Sequence, residues 1–154
     1  MSRARPPGAS APGTSDRAAG LREGALVVAV GGALGAVVRW ALETAFPATA
    51  GEFPWTTLFI NVVGCALLAS LPLLSVARHR PWVGLFVGTG ILGGFTTMST
   101  ASVDTFTLLD HGHVVSALGY CVGTVAAAIT AVLVVQRLTS ADDRVDAESA
   151  GWDE

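Results

Sequence analysis

Residues Gly88 to Asp104, GTGILGGFTTMSTASVD, restrict what this chain can fold into more than any other stretch. The surrounding sequence is apolar enough to cross a bilayer, yet Gly93-Gly94 is followed by Thr96, Thr97, Ser99, Thr100 and Ser102. A bilayer core holds no water, so backbone groups released there must be met by protein or by a lined cavity. A glycine pair ahead of a hydroxyl run therefore points to a broken helix whose carbonyls and hydroxyls face something polar. The alternative is an intact helix whose serines and threonines bond back to their own carbonyls.

The rest of the chain sets that stretch in a membrane. Of 154 residues, 51% are hydrophobic and 14% charged, and the mean hydropathy is +0.57, too apolar for an ordinary soluble domain. Nine basic residues, all arginine, stand against twelve acids for a net charge of −3, which leaves no basic face for nucleic acid. Cys65 and Cys121 fall in apolar segments among small residues, where packing is expected rather than a disulfide or a metal pair. His111 and His113 share a short loop and make no metal site. No nucleophile–base pair or ligand cluster points to an enzyme.

Four apolar spans are expected, within a transmembrane domain at 23–138. Residues 1–22, rich in Pro, Gly, Ala, Ser and Arg, read as a disordered cytoplasmic tail. The segment is no signal peptide, because the first apolar run starts late and is long enough to span. That first span covers about Ala25 to Phe46 and holds Gly31/Gly35, a spacing that lets two helix backbones approach closely. Near its end, Arg39 beside Trp40 fits an interfacial anchor reaching to headgroups, or a fixed charge at a pore vestibule. The second span, Trp55 to Ala77, has one strongly polar interior residue, Asn61. An unpaired amide in hydrocarbon costs several kcal/mol, so Asn61 must face protein or water, either joining helices or donating N–H to an ion. Pro72 is positioned to kink its later turns.

After the basic turn Arg78-His79-Arg80-Pro81, the third span runs from Trp82 to about Leu109. A straight helix of that length is about 42 Å long, well over the roughly 30 Å of hydrocarbon, so a break near Gly93 is expected. This span adds Gly84/Gly88 and Gly90/Gly94. The fourth, Val114 to about Leu138, carries Ser116, Tyr120 and Thr124 every fourth residue, on one helical face, together with Gly119/Gly123. Residues 139–154 form an acidic tail expected to be disordered. Eight of the nine arginines fall on one side of such a four-span layout, and the positive-inside rule makes that side, with both termini, cytoplasmic.

The polar groups within the membrane are neutral donors, with Asp104 the lone acid and close to a span's end. A cation path or a proton-coupled transporter would be expected to place a titratable group at mid-membrane. Neutral donors suit a small, strongly hydrated anion, whose lost waters they replace, while carbonyls released at a break suit a bound cation.

With these residues in view, GGALGAVVRW (31–40), TTLFINVVG (56–64) and GILGGFTTMSTASVD (90–104), in order and spacing, resemble the Fluc (CrcB-type) family of fluoride-specific channels. The resemblance spans nearly all of residues 25–138. It implies an all-α membrane protein of four transmembrane helices, the third broken near its middle, in an antiparallel dimer in the cell membrane. It also implies two pores, passive fluoride export and a structural sodium ion that is not transported. By position, Gly93 and Thr96 match the main-chain carbonyls that hold the sodium, Asn61 the pore asparagine, and Arg39 the arginine closing the first motif. Ser99 and Thr100 match a hydroxyl pair, and Asp104 falls where the family usually has glutamate. Tyr120 is assigned to the fluoride pathway with Asn61, Ser99 and Thr100.

The chain departs from the family at two positions. Phenylalanines whose rings line the fluoride path are replaced by Met98 and Ala101, and neither offers the positive edge of an aromatic ring. Phe95 is no evident substitute. A dual-topology homodimer also needs balanced loop charge, and the arginines here are strongly biased. Both departures fit one half of a heterodimer with an oppositely oriented four-span homologue. A non-conducting assembly subunit is the second expectation. A small four-span multidrug transporter is a weaker third, since Glu43 sits at the edge of the first span rather than in its middle.

Overall fold

The computed structural model of the chain describes residues 14–49 and 51–150, and every regular element among them is helical. Helix α1 (Thr14–Ala45) leads through a short loop to α2 (Trp55–Ser70). A 3-10 turn (Leu71–Leu73) and the short α3 (Ser75–His79) follow. The third span opens as α4 (Pro81–Val83), widens into a π-helix over Gly84–Leu92 and closes as α5 (Gly93–Phe95). After a break come α6 (Met98–Asp110) and α7 (Val114–Ala150). Four segments are long and apolar enough to cross a membrane: Gly20–Ala45, Trp55–Leu73, Pro81–Asp110 and Val114–Thr139.

Several boundaries differ from the sequence expectation. Residues 14–22 and 139–150, expected as disordered tails, continue α1 and α7. Residues 14–22 hold two Ala, two Arg and a Leu, and 139–150 hold three Ala, an Arg and a Glu, all strong helix formers, and extending an existing helix avoids the cost of nucleation. The remaining tail residues, 1–13 and 151–154, lie outside the described residues. Pro72 ends α2 rather than kinking it. It lacks the N–H a further turn needs, and at Leu74 the chain is extended, with φ −72° and ψ 114°.

The two loops at one end of the bundle both turn on glycines with positive φ, Gly51 at 84° and Gly112 at 78°, a conformation other residues resist. The loops lie side by side, with His113 against Gly51. Beneath them Tyr120, Leu108, Ala117 and Ala101 form the buried core, joined by Phe53 and Leu58. The Phe53 ring meets Tyr120 edge-on at 5.4 Å and 88°.

Helix α1 and the third span touch backbone to backbone. A Cβ on Gly31 would lie 2.9 Å from Gly90 Cα, and one on Gly94 would lie 2.8 Å from Gly32 Cα. The expected close packing of Gly31/Gly35 and Gly90/Gly94 is therefore made, here with each other. The other expected pairs are not made within this chain. Gly84, Gly119 and Gly123 face open space, and Gly88 meets only the side chains of Leu71 and Leu68.

These contacts separate two kinds of glycine. Gly94→Ala, pressed against backbone that no rotamer can move, should lower stability by about 1–3 kcal/mol. Gly84→Ala, which meets nothing, should leave it unchanged. Thermal unfolding in detergent of the two variants checks the contrast.

Candidate ion pathway

The third span does break, at Thr96–Thr97 rather than at the glycine pair. Gly93 keeps helical torsions (φ −65°, ψ −35°), whereas Thr96 (φ −74°, ψ 152°) and Thr97 (φ −148°, ψ 122°) are extended. Thr97 then caps α6, its Oγ1 accepting the N–H of Thr100 at 3.0 Å, a threonine in the position helices favour for this role.

In a continuous α-helix, Thr97 N–H would donate to Gly93 O, Met98 N–H to Gly94 O and Thr100 N–H to Thr96 O. The break redirects these donors and acceptors. Thr97 N–H donates to Asn61 Oδ1 at 2.8 Å, and Asn61 Nδ2 donates to Thr97 O at 2.8 Å. Arg39 Nε donates to Gly94 O at 3.3 Å. The carbonyls of Gly93 and Thr96 lose their helical donors and gain no other among the described residues. Gly93 is exposed and Thr96 half-buried.

Arg39 thus turns inward, not out to headgroups as an interfacial anchor would. It also pairs with Glu43, Nη1 to Oε2 at 3.5 Å. The reason lies in α1: Gly31, Gly35, Arg39 and Glu43 recur every fourth residue and so share one face. The glycines bring that face against the third span, and Arg39 arrives beside Gly94.

The hydroxyl run divides. Ser102, Thr105 and Thr107 bond back to the carbonyls of Met98, Ala101 and Val103, the local pattern expected of an intact helix. Thr97 Oγ1 instead gathers Thr100 Oγ1 at 3.0 Å and Ser99 Oγ at 3.2 Å at the N-terminus of α6, the positive end of its dipole.

Two adjoining cavities run along α6 between α2 and α7. One, of about 460 Å³, is lined by Asn61, Cys65, Thr96, Thr97, Met98 and Thr124, among others. The next, of about 190 Å³, is lined by Met98, Ala101, Ser102, Thr105, Tyr120, Cys121 and Thr124, among others. Met98, Thr124 and Val125 border both. A third, of about 210 Å³, lies at the loop end with Glu52, Asp104 and Thr107 in its wall. Between them Tyr120 donates its hydroxyl to Asp104 Oδ2 at 3.2 Å. The row leads from the break to the loops. Its lining mixes apolar surface with amide and hydroxyl groups, and the carboxylates stand at the loop end.

Asn61 and Tyr120 are brought to these cavities, while Ser99 and Thr100 line neither of the two beside the break. Ser116 is exposed, but Tyr120 and Thr124 of the same stripe are buried. Thr124 Oγ1 is a buried hydroxyl with no hydrogen-bond partner among the described residues. Thr57, not singled out from sequence, is 4% exposed and flanks the Tyr120 hydroxyl. It lies one turn before Asn61 on the same face of α2, a spacing that could have revealed it. Met98 is 67% exposed and Ala101 is buried. The Phe95 ring lies under Gly64, so it does not replace the missing rings. Among the described residues no His, Cys, Asp or Glu cluster could hold a metal, so a cation here would depend on carbonyls.

Fold and site together define a multi-pass helical membrane protein with an interrupted span beside mostly apolar cavities that carry a few amide and hydroxyl groups. The chain belongs to the CrcB family: residues 26–135 match the family described as CrcB-like protein, Camphor Resistance (CrcB). It is 42% identical over 111 residues to the fluoride-specific ion channel FluC 2 of Nocardia farcinica, covering 70% of this chain and 79% of the relative. It is 45% identical over 109 residues to FluC 1 of Streptomyces coelicolor, covering 69% and 70%. With FluC of Rhizobium meliloti it shares 42% over 114 residues, covering 70% and 88%.

The Arg39 contacts make a stability prediction. Arg39→Met strands Gly94 O and the Glu43 carboxylate, and should destabilise by about 1–3 kcal/mol. Adding Glu43→Gln should recover part of that loss. A double-mutant cycle by thermal unfolding measures the coupling.

Proposed function

We propose that the chain is one subunit of a passive, fluoride-selective channel in the plasma membrane, lowering cytoplasmic fluoride, with both termini cytoplasmic. The observation that carries this is the break at Thr96–Thr97, held by Asn61 at the head of a row of cavities. A small anion entering there would exchange its waters for neutral donors, and the positive end of α6 faces the same region. Asn61 and Thr124 supply donors, and Tyr120, its O–H held by Asp104, lines the path beyond them. Relatives named as fluoride-specific ion channels support the choice of ion.

A structural sodium ion belongs to this proposal. Its donors would be the carbonyls of Gly93 and Thr96, hard oxygen ligands of the kind a released helix end offers a small cation. One chain gives only this pair, too few to enclose a cation. An antiparallel partner would bring a second pair. When bound, the ion would fix the two breaks against each other.

The partner is proposed to be a homologous four-span subunit of opposite orientation rather than a second copy. The arginine bias argues against this chain inserting both ways. Met98 and Ala101 leave it without the aromatic edges that a partner could supply. The same two residues also favour a second reading, an assembly subunit that conducts nothing.

Liposomes loaded with fluoride and fitted with a fluoride electrode test the proposal. Efflux should be slow with this chain alone and fast when a partner with intact phenylalanines is co-reconstituted, with chloride retained throughout. Met98→Phe should raise the efflux. Fast fluoride-selective efflux from the chain alone would overturn the heterodimer. Efflux from the mixture no faster when this chain is included would favour the assembly subunit.

A further inference from the structure

Asn61 does more at the break than fill two hydrogen bonds. Its Oδ1 accepts the N–H of Thr97 at 2.8 Å, the donor that a continuous helix would return to Gly93 O. While Asn61 holds that N–H, Gly93 O stays free. Arg39 occupies the neighbouring carbonyl, Gly94 O, at 3.3 Å. Thr97 Oγ1 takes the Thr100 N–H at 3.0 Å, which would otherwise serve Thr96 O. Side chains therefore decide which carbonyls the break leaves open, and for Gly93 the deciding side chain is Asn61.

We propose that Asn61, besides lining the anion path, is a positioning residue for the structural cation: by withholding Thr97 N–H from Gly93 it keeps that carbonyl available as a ligand. The inference rests on the sodium site proposed above. Asn61 is 5% exposed and borders the cavity of about 460 Å³, so one side chain belongs to both the path and the cation site. Losing its acceptor lets Thr97 N–H fall back on Gly93, which lengthens α5 and removes a ligand. The two ends of the amide separate the roles. Oδ1 governs the carbonyl. Nδ2 braces Thr97 O with one N–H, and its second N–H has no partner among the described residues and is free for an anion.

The test uses the full-length protein assembled with its oppositely oriented partner subunit in detergent, titrated with sodium chloride against an organic-cation chloride at constant ionic strength, with thermal unfolding as the readout. The parent's Tm should rise saturably with sodium. In Asn61→Ala the half-saturating sodium concentration should rise about tenfold or more, the loss of roughly one hydrogen bond's worth of preorganisation. Asn61→Asp keeps an acceptor at Oδ1, so its sodium response should stay close to the parent's while fluoride efflux from liposomes, measured with the partner subunit, falls. A parent-like titration in Asn61→Ala overturns the proposal and leaves Asn61 to the path alone. A parent indifferent to sodium overturns the sodium site itself and the proposal with it. If Asn61→Ala does not fold, the near-isosteric Asn61→Leu, which also lacks the acceptor, takes its place: a raised half-saturating sodium concentration supports the proposal, and a parent-like one overturns it.

Discussion

The pairing of Asn61 with Thr97 is the constraint on which the rest depends. A helix interrupted inside hydrocarbon exposes N–H and C=O groups that cost several kcal/mol each if left bare. A carboxamide carries the same donor and acceptor as a peptide group, so Asn61 can satisfy both groups of one residue at 2.8 Å each. A charged carboxylate has no N–H to give, and serine has one oxygen to serve two directions. The interruption is thus stabilised from α2, and α6 begins under its own threonine cap.

The second support comes from α1 and is built into the spacing of its sequence. Gly31 allows backbone contact with Gly90, Gly32 with Gly94 and Gly35 with Ile91, and Arg39 and Glu43 continue the Gly31/Gly35 face one and two turns on. Without close approach, Arg39 Nε could not reach Gly94 O. Glu43 beside it offsets the guanidinium charge, which a low-dielectric setting would otherwise penalise. Packing and polar satisfaction are therefore one arrangement, since the missing Cβ atoms determine where the arginine's donors fall.

Much of this was legible in the residues. The four spans followed from hydropathy, and the need for a break followed from the length of the third. Its place did not. Glycine's conformational freedom drew attention to Gly93-Gly94, yet those residues stay helical and Gly94 is used for contact with Gly32. The chain opens two residues later, where Thr97 can cap α6 and Asn61 can reach it. That choice depends on a partner 36 positions away, which no local pattern contains. Arg39, which the residues left as an anchor or a vestibule charge, is placed by a similar non-local cause: beside Trp40 it resembles an anchor, and the packing of the Gly31/Gly35 face on the third span carries it to Gly94 O. Of the stripe Ser116, Tyr120 and Thr124, the last two are buried and Ser116, at the start of α7, is exposed.

What the chain leaves uncovered bears on how it is completed. Gly93, Met98 and Ser99 are exposed within about a turn of the break, at the middle of a segment that crosses hydrocarbon. Lipid cannot satisfy a released carbonyl. Apolar exposure elsewhere, as at Val115, Leu118 and Val122, is what lipid accepts, so the two kinds of exposed surface make opposite demands. A protein partner over the break would meet the first demand with carbonyls of its own sharing a cation, and it would close the side of the path that Met98 now borders. On this view a reason to assemble would lie in the same unsatisfied backbone that Asn61 partly settles, and the residues at Met98 and Ala101 would not remove it.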